Sequence, residues 1–143
     1  MKTLLAALLG FAATSALAEP PSTPLPLPAQ LPYSPAVRAG DLLFLSGQIG
    51  RVPEGMDRHG AGFDVAVRSA MDSIGKILAA NDLDLGHVVK CTVMLDDMAD
   101  WPRFNGVYLA YFAGKRLPAR SAFGANGLAL GAPVEVECIA AFK

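Results

Sequence analysis

The stretch PARSAFGANGLALGAPVEVE, residues 118–137, decides how the rest of the chain is read. Arg120 follows Pro118 and Ala119 and opens an apolar run. A turn rich in Gly and Asn (Gly124, Asn126, Gly127) and a second break (Gly131, Pro133) separate that run from a strand pattern over 134–142. Strand alternation puts Glu135 and Glu137 on one face and Val134, Val136 and Cys138 on the other. One guanidinium and two carboxylates therefore stand among residues that favour burial. A charge in such a setting is paired or functional. Read from spacing alone, a structural salt bridge or a solvated face accounts for these acids.

The chain has 143 residues, which allows one domain. Residues 1–18, MKTLLAALLGFAATSALA, combine Lys2, an apolar run and a small-x-small ending before Glu19. This is the pattern of a secretory signal peptide, and the run is short for a membrane span. Cleavage leaves ~125 residues, enough for a core without crosslinks. The expected location is periplasmic or secreted, with no membrane attachment after cleavage. Residues 19–32, EPPSTPLPLPAQLP, carry six prolines and form a Pro-rich linker biased to polyproline II. A formal charge of −1 lacks the basic excess that nucleic-acid binding requires. Cys91 and Cys138 both fall on apolar strand faces and are read as buried free thiols. A disulfide would need their strands to be neighbours.

The domain spans 33–143. Ala36-Val37-Arg38 and the run Leu42 to Ile49 flank Ala39-Gly40-Asp41, a hairpin signal. Residues 50–61 form a polar, Gly-rich loop, with His59 read as a surface residue. Residues 62–81 place Phe63, Val67, Ala70, Met71, Ile74, Ile77 and Leu78 on one helical face. Arg68, Asp72 and Lys76 occupy another face at i, i+4 spacing. His87 to Asp96 reads as a strand, with His87 at its edge. Asp100 is the expected N-cap of a second helix, Pro102 lies in its first turn, and Phe104, Val107, Tyr108, Tyr111 and Phe112 face inward. Trp101 reads as core and Asn105 as helix surface. The order is β-β-α-β-α-β-β, an α+β fold whose mixed sheet carries two helices on one face. The other sheet face is left apolar and needs a cover.

Five motifs together resemble the RidA/YjgF family of small imine deaminases. They are P-A-R-S at 118–121, V-E-V-E-x-I-A at 134–140, S-G-Q-I at 46–49 with Tyr33 thirteen residues before Ser46, V-K-x-T-V at 89–93, and N-x-x-Y-x-x-Y-F at 105–112. The resemblance runs from about Tyr33 to the end. It implies a chorismate-mutase-like fold and a homotrimer with a central barrel, in which clefts between subunits hold the sites. It also implies hydrolysis of small 2-imino or enamine acids, as in 2-iminobutanoate/2-iminopropanoate deaminases, without metal or cofactor. By this resemblance Arg120 grips the substrate carboxylate and Glu135 positions water. Gly47 and Ala122 contribute backbone contacts, Tyr33 closes the pocket, and Ser46 and Asn105 border it. Ala122 stands where many members have Cys, and the 50–61 loop departs from the usual sequence. Three other readings are a non-catalytic carboxylate-binding trimer, a chaperone-like protein of the same fold, and an endoribonuclease. Near-neutral charge and the lack of a His pair disfavour the last.

Overall fold

Glu135 and Glu137 belong to the strand that organises the sheet. The computed structural model describes residues 31–142, so the expected signal peptide and most of the expected linker lie outside the described residues. The strands are β1 (Ala36–Ala39), β2 (Leu42–Leu45), β3 (Gln48–Gly50), β4 (Val88–Leu95), β5 (Ala119–Gly124) and β6 (Val134–Ala141). The helices are α1 (Ala61–Ala79) and α2 (Trp101–Tyr111). The sheet runs β1-β2-β6-β4-β5, and β3 also pairs with β6. All these pairings are antiparallel except β4 with β5, which is parallel and needs the crossover that α2 supplies. The expected α+β architecture is observed.

One strand was expected over Leu42 to Ile49, and two are found. Phe44 pairs with Ile139 while Gln48 pairs with Val136, so the first chain carries one residue more than β6 between these points. Such an extra residue bends a strand and flips its alternation. Leu43 and Leu45 face the core, but after the break Gly50 does so and Ile49 stands opposite Glu135. Gly50 is required there, because a Cβ would overlap the Ala66 carbonyl of α1.

The core lies between the sheet and the two helices. Every apolar position expected on the inner face of α1 is buried. Each side chain of that size contributes roughly 1.5–3 kcal/mol relative to exposure. On α2, Phe104, Val107 and Tyr108 are buried, with Phe112 just beyond its end. Tyr111 is half-buried and its hydroxyl donates to Asp72 Oδ1 at 2.7 Å. Asp72 thus serves the helix–helix contact rather than an i, i+4 pair. Asp100 makes no side-chain capping bond to α2, contrary to expectation. Its carboxylate, almost buried, accepts instead from His59 at 2.8 Å, while Asp97 caps the short turn before the helix.

The cysteine reading is corrected by the register. Cys91 of β4 stands directly opposite Cys138 of β6, with Cα atoms 4.1 Å apart, and the two form a disulfide. Strand adjacency, which only the tertiary fold supplies, brings the thiols together. The bond is buried on the helix side of the sheet.

The opposite face of the sheet has no helix on it. Val37, Leu42, Phe44 and Phe123 are exposed there, in register with Ile139, Met94 and Glu135. Lys90 Nζ donates to Ser121 Oγ at 3.1 Å across this surface. Among the described residues no helix is long and apolar enough to cross a membrane.

Candidate active site

Arg120 leaves β5 on the helix side. It stands in register with Cys91, and so shares the face of the disulfide and of Val136. Three aromatic rings of α2, at 101, 104 and 108, share one helical face and receive it. The guanidinium carbon is 4.5 Å from the Trp101 ring centroid, 4.6 Å from Tyr108 and 5.8 Å from Phe104. Contacts of this kind are worth about 0.5–2 kcal/mol and leave in-plane N–H groups free to bond. Arg120 Nη2 donates to Asn105 Oδ1 at 2.8 Å. Asn105 is thereby joined to Arg120 on the helix side of the sheet. Trp101, read from the sequence as core, is half-buried and forms a wall of the arginine's seat. The Tyr108 hydroxyl is buried without a hydrogen-bond partner among the described residues. Burial pushes its pKa up, and the Arg120 charge opposes that rise.

Glu135 leaves β6 on the open side of the sheet. It lies in a hollow of about 350 Å³ with Tyr33, Ser46, Gly47, Ile49 and Leu130. That size suits a small ligand. The bulge at Ser46-Gly47 makes the hollow: a Cβ on Gly47 would overlap Glu135 Oε1, so only glycine admits the carboxylate in this position. Ser46 Oγ donates to the Ser34 carbonyl at 2.7 Å and so ties the Tyr33 segment to the rim. Its lone pairs still accept. Tyr33 is exposed at the mouth.

No carboxylate among the described residues lies within ion-pair distance of Arg120, and Glu135 has no cationic partner. The salt-bridge account of these charges therefore does not hold within one chain. Arg120, Asn105 and Ala122 share the helix side; Tyr33, Ser46, Gly47 and Glu135 gather on the other. One chain places these residues in two groups on opposite faces of its sheet, and does not bring them together.

Two adjacent side chains, Arg58 and His59, anchor the 50–61 loop. Arg58 Nη2 meets Asp96 Oδ2 at 2.7 Å, and His59 Nδ1 meets Asp100. The bond to Asp100 raises the His59 pKa from its ordinary 6.5. Sequence reasoning missed both contacts, which span 38 and 41 residues. Among the described residues no group of three His, Cys, Asp or Glu side chains could hold a metal ion.

Fold and residues together define a small helix-on-sheet protein with a neutral-bound arginine and a bulge-cradled glutamate. The chain belongs to the RidA/YjgF family, described as Endoribonuclease L-PSP, which matches residues 25–142. It is 39% identical over 109 residues to Reactive Intermediate Deaminase A, chloroplastic, of Arabidopsis thaliana, covering 76% of this chain and 58% of that protein. Identity is also 39% over 109 residues to the 2-iminobutanoate/2-iminopropanoate deaminase of Mus musculus, covering 76% and 80%. The crystal structure of yeast Mmf1 superposes with a TM-score of 0.74 at 34% identity, over 89% of this chain and all of that one. The family thus includes proteins named for imine deamination.

Proposed function

We propose that the chain hydrolyses small 2-imino acids to 2-keto acids and ammonia, as a homotrimer whose neighbouring copies join the two half-sites. The observation that carries this reading is an arginine with no acid partner among the described residues, seated by Asn105 and three rings. A guanidinium grips a carboxylate through two parallel hydrogen bonds. The imine carbon beside that carboxylate then meets a water held by Glu135 of a neighbouring copy. Glu135 takes a proton from the water as its oxygen adds to the C=N carbon, and returns that proton to the nitrogen. The carboxylate then passes the carbinolamine hydroxyl proton to the amine as the C–N bond breaks, so that ammonia leaves and the C=O bond of the keto acid forms. Orientation and proton transfer suffice for this chemistry. The apolar, helix-free sheet face supports assembly, since such surfaces are buried by something. The names of the relatives support the reaction class.

Export belongs to the same proposal. The Cys91–Cys138 bond supports it, because disulfides persist in oxidising compartments. An imine source there would be amino-acid oxidation.

The test is direct. Purified protein is mixed with freshly generated 2-iminopropanoate, and ammonia and keto-acid release are followed. Faster release than in buffer, lost in Arg120→Ala, is expected. Keto-acid binding without any acceleration would instead make the protein a carboxylate-binding module.

A further inference from the structure

We propose that Leu130, held by the Arg58 guanidinium, is the specificity-determining side chain of the Glu135 hollow, and that it favours large branched apolar imino acids over small ones. This deepens the deaminase reading and rests on it.

Leu130 lines the hollow, yet it is 79% exposed, more than any other large apolar residue among those described. Its backbone has φ 57° and ψ 25°, and Gly131 follows at φ 66°. A leucine rarely adopts the left-handed region, and strain of this kind persists where the surroundings enforce it. Burial does not explain the pose, because the side chain is not buried. Enforcement comes from the 50–61 loop. Arg58 Nη1 donates to the Gly131 carbonyl at 2.6 Å, and Nη2 reaches the Ala132 carbonyl at 3.3 Å and Asp96 Oδ2 at 2.7 Å. The Asp96 N–H in turn donates to the Pro133 carbonyl at 3.0 Å. The three residues that follow Leu130 are thus fixed, with its side chain left at the mouth of the hollow.

The lining that this chain contributes favours one kind of substrate side chain. Among the described residues Glu135 is the only charged group in it, and Leu130, Ala129, Ile49 and Tyr33 supply its apolar surface. A branched aliphatic or thioether side chain gains contact with Leu130 and Tyr33. A side chain ending in a carboxylate meets the like charge of Glu135.

The test compares 2-iminopropanoate with 4-methyl-2-iminopentanoate, each generated in situ from alanine or leucine by an amino-acid oxidase. In Leu130→Gly, which relieves the backbone, the kcat/KM ratio of the larger to the smaller imine is expected to fall about 10-fold. Arg58→Lys keeps the charge but loses the fork, and its ratio should fall in the same direction. An unchanged ratio in Leu130→Gly overturns the assignment. Calorimetric binding of pyruvate and 4-methyl-2-oxopentanoate reads the same preference without chemistry. If the wild type binds both and hydrolyses neither imine, the deaminase reading fails, while a binding ratio that still depends on Leu130 upholds the specificity assignment.

Discussion

Replacing Gly47 by alanine separates the position of the Glu135 carboxylate from the stability of the fold. Gly47 does not use the left-handed region, so alanine brings no backbone strain there. The added Cβ would overlap Glu135 Oε1 and lie 2.9 Å from Cδ and 3.2 Å from Cγ. All three atoms belong to one flexible side chain, which must turn away. An off-rotamer side chain costs about 0.5–1.5 kcal/mol. The lower freedom of the unfolded alanine chain returns about 0.4–1 kcal/mol. Stability should therefore change by less than about 1 kcal/mol, or roughly 5 °C in Tm for a domain of this size. The carboxylate, however, moves by ~1 Å, and a misplacement of that order costs about 100-fold in rate. The assay is ammonia release at saturating imine, with thermal unfolding on the same preparation. Adding Gly47→Ala to Glu135→Gln should cost little more, because both remove one positioned group. An alanine variant with unchanged Tm and kcat within about threefold of wild type refutes the assigned place of Glu135.

Three further outcomes are expected. Arg120→Ala and Arg120→Lys should both lose turnover while keeping far-ultraviolet circular dichroism, since lysine cannot form the fork; activity retained in the alanine variant removes Arg120 from the site. Reducing Cys91–Cys138, which spans 47 residues of sequence, should cost about 4 kcal/mol and lower Tm by more than about 10 °C; a scan unchanged by reductant contradicts a structural bond. His59 has its pKa raised by Asp100, so this pair stabilises the fold fully below the ordinary 6.5 and less as pH rises through the higher folded value. The Tm advantage of wild type over His59→Gln should shrink between about pH 6 and pH 8, and an advantage constant over that range removes the coupling.

The two helices and the central strands were legible because their apolar positions repeat at helical or strand spacing. The break at Ser46-Gly47 was not, since the extra residue exists only relative to the pairing of β6. Arg120 and Glu135 were singled out through motifs; their lack of ion partners among the described residues needed coordinates. The seat of Arg120 had a local signal, with Trp101, Phe104 and Tyr108 spaced to share one face of α2, but that face also reads as ordinary core. Arg58, Asp96 and Leu130 left no trace in local pattern. Their contacts join a loop, a strand end and a turn far apart in sequence. Asp100 shows the same limit: a residue well placed to cap a helix turned to His59 once the loop lay beside it.

The disulfide has a consequence for biosynthesis. Polypeptide emerges amino end first, so Cys91 is exposed long before Cys138. Sulfur–sulfur closure must wait for β6, by which time Arg120 and Glu135 have both been made. A product interrupted ahead of β6 lacks this latch and carries an idle thiol instead, open to capture by strangers. Oxidation state thus reports whether synthesis reached the strand on which the sheet is assembled.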